Sequence, residues 1–215
     1  MPVVTVSRQF ASGGGEVAQE VARRLGATLV DREIIDEVAR RLGVPDEVVL
    51  EKDERAESLV ARLARSLRLS YPDLAMPPDM TSAVFTDYGG FDDLPYAEVT
   101  QQVIREVARS GNAVIVGRGG AFVLKDEPNT LHVHIQAPFA RRVQNTMRLE
   151  GLDQAAAERL VQEMDRERAR YIKTLFKADW EAMRHYHLVI DCERLGQTAT
   201  VELIVYAATH LSPGA

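Results

Sequence analysis

Five short runs of β-branched and aliphatic residues are separated by segments whose apolar residues recur with helical spacing, and this alternation leaves the chain few folds to choose from. The runs are Val3 to Val6, Thr28 to Val30, Ala113 to Val116, Leu131 to Ile135 and Leu188 to Ile190. After the first comes a glycine-rich turn and a helix with Val17, Ala18, Val21, Ala22 and Leu25 on one face, stopped by Gly26. After the second, Asp31 is placed to cap a helix with Ile34, Ile35, Val38, Ala39 and Leu42 inward and Gly43 as the stop. Val99, Val103, Ile104, Val107 and Ala108 mark a further helix. Others are expected near residues 138–150, 153–177 and 197–210, the last burying Val201, Ile204, Val205 and Ala208. Strand followed by helix, repeated, predicts an α/β fold: a parallel sheet with helices on both faces. Ala113 to Val116 is nearly pure apolar, as a strand covered on both sides should be.

One region breaks the alternation. Residues 46–70 have a charged, helical pattern with a stripe of Leu59, Val60, Leu63, Ala64 and Leu67, and the pattern leaves open whether it covers the core or makes a homodimer contact. Residues 71–95 carry Pro72, Pro77, Pro78, Pro95 and the pair Gly89-Gly90. A long irregular stretch in a compact domain usually has a function. The 215 residues fit a single domain with a large core.

Charge and composition remove several function classes. The net charge of −6 argues against a sequence-independent grip on nucleic acid, which needs a basic surface. No apolar run approaches the ~18 residues of a membrane span. Cys192 is the single cysteine, so no intrachain disulfide forms. The first residues, Met1-Pro2-Val3-Val4, enter a strand-like run without a basic and then apolar leader, so a cytoplasmic protein is expected.

The strongest local signal is the first strand, then Ser7-Arg8-Gln9-Phe10-Ala11-Ser12-Gly13-Gly14-Gly15, then a helix starting near Glu16. Adjacent glycines let backbone N–H groups approach a ligand closely. The helix start adds unpaired N–H groups and partial positive charge, which suits phosphate. Ser12, Gly13, Gly14, Gly15, Glu16 and Arg8 are therefore the candidate nucleotide-binding residues. The Walker A string G-x-x-x-x-G-K-[ST] is matched only at Gly13: Arg8 replaces its first glycine, Gly14 its lysine and Gly15 its hydroxyl residue. A flexible turn without a ligand is the competing reading.

Phosphoryl transfer needs positioning and cations more than covalent help. Arginine supplies both charge and a planar fork for phosphate oxygens. The candidates are Arg8, Arg32, Arg118, Arg166 and Arg170. Arg118 follows a buried strand, at the sheet edge where open α/β folds bind ligands. Arg166 and Arg170 lie one helical turn apart, interleaved with Glu163, Asp165 and Glu167. Asp31 and Arg32 follow the second strand. His132 and His134 alternate on one strand, and His185 and His187 repeat the spacing. With no third ligand in sight, packing or surface histidines are expected rather than a metal site. Cys192 reads as a small buried residue, and Trp180 and Tyr171 as packing for a long helix.

Taken in order, VTVSRQFASGGGEVAQEVARRLG, LVDREIID, AVIVGRGGAFVL and EMDRERARYIKTLFKADW with HYHLVIDCERLG resemble the cytidylate-kinase-like family, from Val3 to about Ala208. The resemblance implies a P-loop kinase core with a five-stranded parallel sheet, in one domain over residues 1–215. It implies an acceptor-side helical insert at about 44–95 and a mobile lid at about 153–185. It also implies ATP as donor, Mg²⁺, and a nucleoside monophosphate or related small phosphate acceptor, CMP or dCMP foremost. On that basis Arg118, Arg166 and Arg170 are expected to be catalytic, with Arg168 part of the same lid. Asp31, Arg32 and Arg118 are expected to face the acceptor. Two departures stand out. Cytidylate kinases carry Asp after the Gly-Arg pair where this chain has Gly119, and the loop lacks its lysine at Gly14. They leave room for a second reading, a nucleotide-binding or regulatory module that kept the fold and lost the chemistry. No Asp ends the Ala113 to Val116 strand, so Mg²⁺ would rest mostly on phosphates and water, with Glu16 or Asp31 in its outer shell.

Overall fold

A computed structural model describes residues 2–31, 33–43 and 93–212 of the chain. The expected helix at 46–70 and Arg32 lie outside the described residues. In chain order the elements are β1 (Val3–Arg8), α1 (Gly14–Leu25), β2 (Thr28–Val30), α2 (Glu33–Leu42), α3 (Asp93–Ser110), β3 (Ala113–Val116) and α4 (Gly120–Val123). They continue with β4 (Thr130–Gln136), α5 (Phe139–Glu150), α6 (Gln154–Phe176), a 3₁₀ turn (Met183–His185), β5 (Leu188–Asp191), α7 (Cys192–Leu195) and α8 (Gln197–Thr209). The irregular stretch expected to run to residue 95 ends earlier, because α3 begins at Asp93. Pro95 stands in its first turn, where a missing N–H breaks no helical bond.

The five strands form one parallel sheet in the order β2-β3-β1-β4-β5. After β1 the chain moves to β2 on one side, and after β3 it crosses to β4 on the other. The carboxyl end of β1 is therefore the point where connections diverge, the usual place for a ligand in such sheets.

Alternate residues along each strand feed two cores. Val4 and Val6, with Val114, Val116, Leu131, Val133 and Ile135, pack against Val17, Ala18 and Val21 of α1 and Val201, Ile204 and Ala208 of α8. Cys192 belongs to this core, and burial pushes its thiol up, so it is the inert small residue expected. On the other face Val3, Ala113 and Ile115 meet Ile34 and Val38 of α2 and Val103 and Ile104 of α3. Beside them Ala121 and Phe122 of α4 pack with Ile172 of α6, Trp180 and Tyr186.

Under α4 and α6 this second face is polar. Register pairs Thr5 with His132 and Ser7 with His134 across β1 and β4. Thr5 Oγ1 lies 2.8 Å from His132 Nδ1, and Ser7 Oγ lies 3.2 Å from His134 Nδ1. Trp180 Nε1 donates to Ser7 Oγ at 2.8 Å, and the Tyr186 hydroxyl donates to the Trp180 carbonyl at 2.7 Å. Both histidines are the packing residues expected, at 3% exposure each.

Burial pushes His132 down to about 4, with His187 adding to the shift, and burial likewise pushes His134 down to about 4. An unfolded chain takes up these protons near pH 6.5, before the fold does. Stability is therefore full above about pH 6.5 and falls as the pH drops toward 4, by roughly 3 kcal/mol at most for each imidazole. Urea unfolding at pH 7 and pH 5 should show this loss, and the His134→Asn variant should lose less. An equal loss in the variant would rule out His134 as a source.

Candidate functional site

Between β1 and α1 the chain reverses over five residues. Ala11 (φ 56°) and Gly13 (φ 82°) are left-handed, and the Ser12 hydroxyl donates to the Gln9 carbonyl at 2.8 Å to close the turn. Helix α1 then begins at Gly14, so the N–H groups of Gly14, Gly15 and Glu16 have no acceptor inside the helix. They and the helix dipole face the turn, an arrangement suited to phosphate oxygens. A side chain at Gly15 would meet open space, and Glu16 is exposed.

Gly14 is different. A Cβ there would lie 2.6 Å from Arg8 Cβ and 3.1 Å from Arg8 Cγ. The place over residue 14, where a Walker A loop carries lysine, is filled from residue 8, where that loop has glycine. The Walker A mismatches at positions 8 and 14 are thus coupled: the Arg8 side chain occupies the space that a side chain at position 14 would need. Arg8 is itself buried, at 5% exposure.

Side chains from α5 and α6 clamp the turn. The Phe10 N–H donates to Asp165 Oδ1 at 2.8 Å. Arg142 donates to the carbonyls of Phe10 (3.3 Å) and Ala137 (3.0 Å) and pairs with Asp165. Asn145 donates to the Ala11 carbonyl at 3.0 Å. Arg168 donates to the Arg8 carbonyl at 3.2 Å, lies 3.8 Å from Asp165, and places its guanidinium 5.7 Å from the Phe10 ring centre. Gln9 accepts the Ala137 N–H at 3.2 Å.

Of the three arginines named on α6, Arg168 is the one that reaches the turn. Arg166 and Arg170, two residues to either side, leave the helix about 160° away and are exposed. Arg170 pairs with Glu167. Arg142, Asn145 and Asp165 were not singled out from sequence. Nothing local separates Arg142 from Arg141, which pairs with Glu193 at the surface, and only the packing of α5 against the turn reveals it.

Arg118 and Asp31 come together as an ion pair joining the carboxyl ends of β3 and β2. Arg118 is 1% exposed, donates to the Val116 carbonyl at 3.2 Å, and adopts a left-handed backbone (φ 49°). Next to it, Gly119 (φ 71°) is covered by Phe176: a Cβ there would lie 2.5 Å from the ring. The aspartate of cytidylate kinases at this place has no room beside the end of α6. Among the described residues no three His, Cys, Asp or Glu side chains gather as a metal site, and no helix is long and apolar enough to cross a membrane.

The profile of the cytidylate kinase-like family matches residues 3–194. The chain belongs to that family. A cytidylate kinase of Methanopyrus kandleri is 28% identical over 115 residues, which cover 50% of this chain and 60% of that protein. A uronate isomerase of Corynebacterium glutamicum is 32% identical over 111 residues, 51% of this chain but 21% of that protein. Among solved structures, an uncharacterized protein of Eubacterium ventriosum matches with TM-score 0.68 at 20% identity, covering 98% of this chain and 99% of the other. A shikimate kinase of Bacteroides thetaiotaomicron matches with TM-score 0.52 at 11% identity, covering 97% and 98%. The fold is that of the P-loop kinases, as the sequence resemblance implied.

Two substitutions test this geometry. Gly14→Ala should cost on the order of 1–3 kcal/mol in urea unfolding, and close to nothing in an Arg8→Gly background. Equal costs in both backgrounds would refute the steric coupling. Asp165→Ala removes the carboxylate between two buried arginines and should cost about 3 kcal/mol. A loss below about 1 kcal/mol, as for a surface pair, would show that the clamp does not depend on it.

Proposed function

We propose that this protein transfers the terminal phosphoryl group of ATP to a nucleoside monophosphate, with CMP or dCMP as the leading acceptor. The observation that carries this reading is the clamped turn at the carboxyl end of β1, with the start of α1 behind it. Backbone N–H groups of Gly14, Gly15 and Glu16 bind phosphate oxygens of the donor, which approach over the open side of Gly15. Arg8 and Arg168, which border the turn, supply the charge that the loop lysine supplies elsewhere. Arg166 and Arg170, expected to serve the donor, are exposed on the side of α6 away from the turn, and Arg168 takes that place. Asp31 and Arg118, together with Arg32, serve the acceptor side.

Mg²⁺, when bound with the donor, neutralises charge on the phosphates. The chain suits an ion held mainly by phosphates and water: Gly15 brings no hydroxyl, and Glu16 and Asp31 offer carboxylates to its water shell.

A second reading has its own support. Arg118 is engaged by Asp31, and no side chain fits at Gly14, so the fold is compatible with a nucleotide-binding or regulatory module of weak or absent activity.

Purified protein with ATP and Mg²⁺ should phosphorylate one member of a panel of CMP, dCMP, UMP, AMP and GMP. The Arg118→Ala variant should lose that turnover, which would exclude the binding module. Silence across the panel would refute the kinase. A shift in melting temperature with ATP would then favour the module, since a ligand at 100 times its Kd adds about 2.7 kcal/mol.

A further inference from the structure

A turn that binds phosphate must show peptide N–H groups to the anion and keep carbonyl oxygens away from it. Here the carbonyls of residues 8 to 11 are each held by a donor. Arg168 holds that of Arg8 at 3.2 Å, the Ser12 hydroxyl that of Gln9 at 2.8 Å, Arg142 that of Phe10 at 3.3 Å, and Asn145 that of Ala11 at 3.0 Å. The N–H and C=O of a trans peptide point in opposite directions, so a donor that fixes the carbonyl also fixes the N–H behind it. The partners are sorted by chemistry. The Phe10 N–H meets a carboxylate, Asp165, while the carbonyls beside it meet guanidinium and amide donors.

Ala11 is where this order is hardest to keep. Its backbone is left-handed (φ 56°), as is that of Gly13 (φ 82°), with Ser12 between them at negative φ. Backbone that alternates in hand gathers successive N–H groups into a hollow that suits an anion. Glycine enters the left-handed region freely, whereas the Cβ of Ala11 opposes it. The Ala11 carbonyl is bonded by Asn145, which follows Arg142 by less than one turn on the face of α5 that meets the glycine-rich turn. A carbonyl offers no hydrogen, so Asn145 must present its amide nitrogen, and aspartate, of the same shape, could not take its place. Gln144 next to it is exposed and meets Arg141 instead.

We propose that Asn145 is a positioning residue of the phosphate site. Its bond holds Ala11 in the left-handed state, which keeps the Ala11 carbonyl out of the site and lines up the N–H groups that follow. It acts through Ala11 rather than on the ligand. The proposal rests on the reading of the turn as the place of the donor phosphates, and adds the side chain that sets the turn's shape.

Isothermal titration of the full-length protein with ATP and with inorganic triphosphate tests it. Asn145 is half-buried, so its replacement leaves the fold intact. Asn145→Ala should weaken both ligands roughly tenfold and by the same factor, since the loss lies with the phosphates. Gln144→Ala, one residue away on the same helix, should bind as wild type does. A second change, Ala11→Gly, removes the strain that Asn145 offsets and should recover most of the affinity lost in Asn145→Ala, which a general loosening of α5 would not allow. Wild-type affinity in Asn145→Ala would overturn the role and leave the phosphate reading standing. So would an equal loss in Gln144→Ala, or a loss that Ala11→Gly does not recover. If wild type binds neither ATP nor triphosphate, the phosphate reading falls and the role of Asn145 falls with it.

Discussion

The carboxylate of Asp165 joins the glycine-rich turn, α5 and α6 at one point. One oxygen accepts the backbone N–H of Phe10 in the turn, and the other pairs with Arg142 of α5. Arg168, one turn further along α6, binds the carbonyl of Arg8. Two buried guanidinium groups are affordable there because a carboxylate and several carbonyls surround them. The turn is held in one shape by donors and acceptors outside it, so a ligand need not spend binding energy ordering it. The same contacts tie α6 to the end of β1, so that helix and turn share one set of charges.

Much of the fold was legible because it depends on local pattern. Each strand was marked by a short β-branched or aliphatic run, and α1 and α8 by periodic apolar positions, with boundaries good to a residue or two. The stop signals at Gly26 and Gly43 work through the left-handed backbone that glycine adopts without strain. The candidate site was half legible. Its glycines announce themselves, whereas the side chains that hold the turn come from 130 to 160 residues away. Three arginines at alternate positions of α6 look alike in a string. Which one faces inward depends on how the helix is rotated against β1 and β4, and that is set by Ile172 and Met164 packing elsewhere.

The histidines show the same limit. Spacing of two placed His132 and His134 on one face of a strand, but not what stood across from them. Parallel register with β1 supplied Thr5 and Ser7, hydroxyls that accept or donate as a neutral imidazole requires. A polar ladder inside a parallel sheet is tolerable only when each rung is bonded, and the two rungs differ. The Ser7 rung is completed by Trp180, while the Thr5 rung is covered by His187, whose ring stacks on His132 with centres 5.0 Å apart.

The contact between Arg8 and Gly14 also limits how the two positions can vary. A side chain placed at position 14 would strike one rooted in the backbone of β1, so position 14 opens to substitution only where position 8 is cleared. The two residues, six apart in the chain, behave as one unit: the effect of a change at either depends on which residue stands at the other.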